Sequence, residues 1–113
     1  MEIIDFGNGA ECRIYENGTK IWYLNGKRHR ADGPAVEDVD GIKVWFLNGN
    51  LHRTDGPAIE DADGHKYWYL NDKLHRADGP AAEDADGTKY WFLNGIQYSE
   101  EEFEMVKEVL WAI

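Results

Sequence analysis

Trp22, Trp45, Trp68 and Trp91 stand 23 residues apart, and so do Leu24, Leu47, Leu70 and Leu93. His29-Arg30, His52-Arg53 and His75-Arg76 keep the same period, as do the triplets Asp32-Gly33-Pro34, Asp55-Gly56-Pro57 and Asp78-Gly79-Pro80. A period this strict leaves few folds open. Each unit is too small to bury its own apolar face and must stack on the next, so the chain is a repeat array.

Within a repeat the pattern is that of strands and turns. Pro34 to Asp38 leads into Asp38-Val39-Asp40-Gly41, and Ile42 to Leu47 returns. Asp at the first turn position and Gly at the fourth predict a type I turn closed by a left-handed glycine. Asp61-Ala62-Asp63-Gly64 and Asp84-Ala85-Asp86-Gly87 repeat it. The outgoing strand is rich in Val, Tyr, Trp and Phe, all strand formers. Asn48-Gly49 ends it, and a compact connector leads to Pro57, which tolerates a strand start. One repeat thus reads as one hairpin plus one shaped loop. The expectation is a mainly β chain: a single-layer antiparallel sheet of stacked hairpins with a C-terminal capping helix. Its 113 residues suit one domain. Residues 1–24 form an irregular first repeat, 25–95 the regular repeats and 96–113 the helical cap. In the first repeat, Ile3, Ile4 and Phe6 mark an edge strand, and Asn17-Gly18 reads as a tight hairpin turn before Thr19 to Leu24.

Strand alternation sorts the aromatics. Trp45 and Leu47 point to one side, Val44 and Phe46 to the other. The Trp/Leu side does not vary between repeats and is read as core. The other side holds Tyr23, Phe46, Tyr69 and Phe92, with Tyr67 and Tyr90 beside them, and is read as a half-exposed ladder. Beyond it, Ser99 and Glu102 make a capping box, and Phe103, Val106, Leu110 and Ile113 an apolar helical stripe.

The net charge is −10, from 22 acidic and 12 basic residues. Phosphate backbones and anionic lipid repel such a chain, which argues against direct nucleic-acid or membrane-surface binding. Cys12 is the single cysteine; it has no internal disulfide partner and reads as a small apolar packer in a reducing compartment. No apolar run is long enough to span a membrane, and no signal-peptide layout opens the chain, so a cytoplasmic protein is expected.

Candidate chemistry is sparse. The His row invites a metal or acid–base reading, but reactive sites gather unlike residues at one place. A recurring residue serves structure: His and Arg are expected to bond loop carbonyls, with Arg pairing to Asp. The Asp-x-Asp-Gly turns invite a calcium reading, yet calcium takes six or more oxygens and turn chemistry explains these residues. No catalytic residue, metal or cofactor is expected. The positions that differ between repeats are more informative. Lys27-Arg28 becomes Asn50-Leu51, Lys73-Leu74 and Ile96-Gln97; Val36 becomes Ile59 and Ala82; Ile42 becomes His65 and Thr88.

The Asn-Gly, His-Arg and Asp-Gly-Pro-Ala spacing, with aromatic strands at 23 residues, resembles the MORN repeat family. It is closer to the W-[YF]-L-N-G-x-x-H-R-x-D-G-P-A variant of short bacterial and bacteriophage proteins. The resemblance spans residues 22–95 and implies a hairpin sheet used for protein binding, with no shared catalytic residues. Together with the length and acidity it points to a phage-encoded inhibitor in the host bacterial cytoplasm, an anti-CRISPR or similar counter-defence protein. The expected partner is a protein with a basic surface. The expected contact residues are Tyr23, Phe46, Tyr67, Tyr69, Tyr90 and Phe92, with Glu60, Asp61 and Asp63 steering. The alternative is an assembly protein that pairs sheet edges into a homodimer or longer array.

Overall fold

The outgoing strand of each repeat serves two hairpins at once. The computed structural model describes residues 1–110, which form a slab 49 × 31 × 17 Å. The strands are β1 (Glu2–Gly7), β2 (Ala10–Ile14), β3 (Lys20–Leu24), β4 (Lys27–Arg28), β5 (Val36–Glu37), β6 (Lys43–Val44), β7 (Phe46–Leu47) and β8 (Asn50–Leu51). Next in the chain are β9 (Ile59–Glu60), β10 (Lys66–Tyr67), β11 (Tyr69–Leu70), β12 (Lys73–Leu74), β13 (Ala82–Glu83), β14 (Lys89–Leu93), β15 (Ile96–Tyr98) and the helix α1 (Glu100–Leu110). The sheet runs antiparallel and open in the order β1-β2-β3-β5-β6-β9-β10-β13-β14-β15, and β4 pairs with β3. The expected mainly β, single-layer architecture is the one observed.

The first half of each long strand pairs with the strand before it. Val36 faces Val44 and Glu37 faces Lys43. The second half pairs with the short strand after it: Phe46 faces Leu51 and Leu47 faces Asn50. The sequence pattern gives one hairpin per repeat, whereas the structure has two. Asn48 and Gly49 both take positive φ, 51° and 83°, which is the two-residue turn whose twist matches that of the flanking strands. The connector therefore begins as a strand. These second hairpins join sideways: Arg30 N–H donates to Phe46 O, and Gly49 N–H donates to Arg28 O.

At the other end of each strand, Asp38 N–H donates to Ile42 O and Gly41, at φ 89°, donates to Asp38 O. The first repeat closes in the same way. Tyr15 N–H donates to Thr19 O and Gly18 N–H to Tyr15 O. Asn17-Gly18 is thus not the centre of a two-residue turn. It is the second half of a four-residue one, in which Gly18 alone is left-handed. Residues 12–24 fall on the common period, and Cys12 occupies the place of Ala35, Ala58 and Ala81.

Those alanines, not the tryptophans, are the fully buried row. Ala35, Ala58 and Ala81 are each 0% exposed and Cys12 is 3%, while the four repeat tryptophans are half-buried. Ala58 N–H donates to Tyr67 O and its carbonyl accepts from Trp45 N–H, so the alanine sits between two long strands. The connectors fold over the Trp side, as a core side requires, and cap three of the four rings with a guanidinium. Arg30, Arg53 and Arg76 each lie 4.0 Å above the centroids of Trp22, Trp45 and Trp68.

At the far end Ser99 and Glu102 form the expected capping box. Ser99 N–H donates to Glu102 Oε1 and Glu102 N–H to Ser99 Oγ. The helix packs on β14 and β15 and buries Phe103 to 1%. Of the expected stripe, Val106 is half-buried and Ile113 lies outside the described residues.

Candidate functional site

Two faces of the sheet differ in how they are finished. On the Trp side each arginine is tied into its own connector. Arg53 Nη1 donates to Pro57 O at 3.1 Å, its Nε donates to Asp55 Oδ1 at 3.0 Å, and Arg76 repeats both bonds. The glycine of Asp-Gly-Pro exists for this guanidinium. A Cβ on Gly56 would stand 2.6 Å from Arg53 Cζ, and one on Gly33 2.9 Å from Arg30 Cζ. The prediction that arginine bonds loop carbonyls and pairs with Asp therefore stands. The histidines do something else. Asn48 N–H donates to His29 Nδ1, Asn71 N–H to His52 Nδ1 and Asn94 N–H to His75 Nδ1, at 2.9, 3.1 and 2.9 Å. Each histidine accepts a bond at Nδ1 from the next repeat's turn. That fixes the Nε2–H tautomer. Burial also lowers the pKa of His75.

The same side carries a ladder of alternating charge. Lys20, Glu37, Lys43, Glu60, Lys66, Glu83 and Lys89 are cross-strand neighbours in that order. Directly opposed unlike charges favour this pairing by fractions of a kcal/mol each, about 0.2–1. Glu60 consequently points away from the aromatic ladder, with its carboxylate 3.7 Å from Arg53 Nη1. The reading of Glu60 as a flank of the aromatic surface is corrected by this register.

The opposite face carries two rows. One is Ile21, Val36, Val44, Ile59, Tyr67, Ala82 and Tyr90. The other joins Tyr23 to Arg28, Phe46 to Leu51, Tyr69 to Leu74 and Phe92 to Gln97. All six aromatics expected on this face lie in these rows and are half-buried. Of the variable residues, Arg28, Leu51, Leu74, Gln97, Val36, Ile59 and Ala82 fall into them, whereas Lys27, Asn50, Lys73 and Ile96 pair with Leu24, Leu47, Leu70 and Leu93 on the Trp side. The signal that pairs Arg28, Leu51, Leu74 and Gln97 with the ladder is the two-residue left-handed turn, Asn-Gly or Asn71-Asp72, which sets the second residue after it opposite the aromatic. The face is not uniform. Arg13 stacks 4.5 Å over Tyr23 and Arg28 5.6 Å over Phe46. Further along, Tyr67 donates to Asp84 Oδ1 at 3.3 Å, and burial followed by Asp84 raises its pKa. The half holding Tyr67, Tyr69, Tyr90 and Phe92 is the one next to acid.

Asp61, Asp63 and His65 gather their ligand atoms within 4.8 Å. Asp61 Oδ1 accepts from the N–H of Asp63 and of His65, and Oδ2 lies 2.8 Å from His65 Nδ1. Burial opposes the Asp61 carboxylate, but these bonds from His65 and Asp63 hold its pKa below the ordinary value. Asp38 closes its own turn in the same way by accepting from Asp40 N–H, so the cluster performs turn chemistry. It offers three donors where calcium takes six to eight. Cys12 is buried, and burial raises its thiol pKa, which makes it a poor nucleophile. No helix among the described residues is long and apolar enough to cross a membrane.

Comparison of the chain with protein-family models, with curated proteins and with solved structures gives no match.

Proposed function

We propose that this chain is a non-catalytic protein-binding repeat and that its Tyr/Phe face seats a basic protein surface. The carrying observation is that two of the sets of positions varying between repeats, Arg28/Leu51/Leu74/Gln97 and Val36/Ile59/Ala82, share the two rows of one face with the aromatic ladder. A rigid sheet presents aromatics at little entropic cost, and Tyr is a favoured binding residue. The histidine row supports a non-catalytic role, because its Nδ1 atoms hold neighbouring repeats together. With the acidity and the resemblance to phage repeats, the specific reading is an inhibitor of a host bacterial complex, an anti-CRISPR or similar counter-defence protein. The experiment is affinity capture from bacterial lysate with the wild-type chain and with Tyr69→Ala/Phe92→Ala. A protein retained by the first and lost by the second supports the reading. Identical captures, or none, count against it.

A second reading has its own observation. Among the described residues strand β1 pairs only with β2, and Met1, just before it, and its own Ile3, Ile4 and Phe6 are 39–63% exposed. An open edge with apolar side chains can pair with a second copy. Sedimentation across a hundredfold concentration range decides it, and a constant monomer mass excludes it.

A further inference from the structure

The Trp side holds a niche that recurs with the repeat. One copy, of about 290 Å³, has Arg53–Asp55 and Arg76–Asp78 as walls, with Trp68 and Leu70 lining it. The other, of about 250 Å³, lies one repeat earlier between Arg30–Asp32 and Arg53–Asp55, lined by Trp45 and Leu47. Small-molecule pockets run from about 300 to 1,000 Å³, so each niche suits a single side chain better than a cofactor.

The chain itself shows what closes such a place. One period further on, the equivalent residues are Trp91 and Leu93 of β14, where α1 packs. Leu47 and Leu70 are half-buried, but Leu93 falls to 1% exposure. Phe103 of α1, also at 1%, is with Leu93 the largest fully buried side chain. A helix that buries an aromatic side chain thus covers the row at its last position, and the two preceding positions are open.

From this continuity we infer that the two open niches form a docking groove for an amphipathic helix of a partner protein, laid across the strands with an aromatic side chain in each niche. The spacing sets the sequence of that helix. Two strands separate one niche from the next, a step of about 9.4–9.8 Å. Helix positions i and i+7 are about 10.5 Å apart on the same face. The partner helix therefore carries aromatics at i and i+7, flanked by polar residues that meet the Arg and Asp walls. This surface lies opposite the Tyr/Phe face and does not depend on the function proposed above.

The test uses the full chain and a hydrocarbon-stapled peptide of residues 98–110 with Leu110→Phe, which places aromatics at i and i+7. Indole N–H signals of Trp45 and Trp68 are followed by NMR during titration. Binding should move both. A peptide that also carries Phe103→Ala should bind at least tenfold more weakly, as should one with its aromatics at i and i+4. On the protein, Thr54 is exposed and lines both niches. Thr54→Trp should fill them and weaken binding at least tenfold with an unchanged melting temperature, while Tyr69→Ala should leave binding intact. Unmoved Trp45 and Trp68 signals overturn the inference, as does equal binding by the Phe103→Ala or i+4 peptide. Shifts confined to residues around Leu93 mean that the peptide merely exchanges with α1, and they overturn it too.

Discussion

His52 Nδ1 accepts the backbone N–H of Asn71, 19 residues later and in the next repeat, at 3.1 Å. The bond needs an unprotonated Nδ1. An imidazolium there would present a proton to a proton, and the same holds at His29 and His75. Burial lowers the pKa of His75 from its ordinary 6.5, so the folded state takes up that proton less readily than the unfolded chain. Linkage gives the sign. This contribution is complete above pH 6.5 and is lost as pH falls toward the lower folded value. Thermal melts should therefore drop between pH 7 and 5. Replacing His75 with Asn keeps an acceptor near the same place and should flatten that drop. Replacement with Ala should cost about 0.5–1.5 kcal/mol per bond at neutral pH. A wild-type melting temperature that is level from pH 7 to 5 would remove His75 from this role.

The alanine row makes a second prediction. Ala58 is fully buried between the strands of Trp45 and Tyr67, and the matching place in the first repeat holds Cys12. Ala58→Cys should therefore be nearly neutral. Ala58→Leu inserts three carbons into a closed site and should cost about 1–3 kcal/mol. Chemical denaturation measures both, and equal stability of the two variants would show that the row yields easily.

Arg53 and Trp45 supply a third. The guanidinium stacks on the ring while holding Pro57 O and Asp55. Lysine can supply charge but not the planar fork. Arg53→Lys should cost about 1–2 kcal/mol. A double-mutant cycle with Trp45→Phe should return a coupling of about 0.5–2 kcal/mol. Additive losses would mean that the ring and the guanidinium act separately.

Asp72 is a non-glycine in a glycine's place. Its φ is 68°, where Gly26, Gly49 and Gly95 sit near 80°. Its carboxylate accepts Leu51 N–H at 2.7 Å, and its own N–H donates to Leu51 O. The added bond offsets the left-handed conformation. Asp72→Gly relieves strain as it loses that bond and should be nearly neutral. Asp72→Ala keeps the strain and loses the bond, so it should cost about 1–2 kcal/mol more. Melting temperatures that rank Ala at or above Gly would contradict the account.

The period, the Asp-Gly turns, the capping box and the two-sided alternation were all legible in the sequence, because each is a local pattern that repeats. Three things were not. The second hairpin was hidden in a connector whose strand is only two residues long, Asn50–Leu51. The half-exposure of Trp45 and Trp68 reflects arginines eight residues downstream folding back over them, a contact that strand alternation does not encode. The facing of Glu60 depends on pairing with Lys43 and Lys66, strands on either side of it. Its neighbour Ile59 faces the aromatics, and a one-residue offset decides which side of a sheet a charge serves.

That offset reshapes the binding experiment. Glu60→Lys would place a third lysine between Lys43 and Lys66 and beside Arg53, so it tests stability more than recognition. Asp63 is exposed in the turn next to Tyr67's end of the face. Asp63→Lys is the cleaner probe of steering. Against a partner identified by capture, it should slow association and reduce its salt dependence while leaving dissociation near the wild-type rate. Tyr69→Ala and Phe92→Ala should instead speed dissociation, each weakening binding by about 1–2 kcal/mol. Tyr23→Ala should do less, since Arg13 already stacks on that ring and a basic partner is repelled there. Surface plasmon resonance at two salt concentrations separates these rates. Should Tyr23→Ala and Tyr69→Ala weaken binding equally, the partner reads the whole ladder and its basic character is wrong. Should neither matter, the Tyr/Phe face is not the contact.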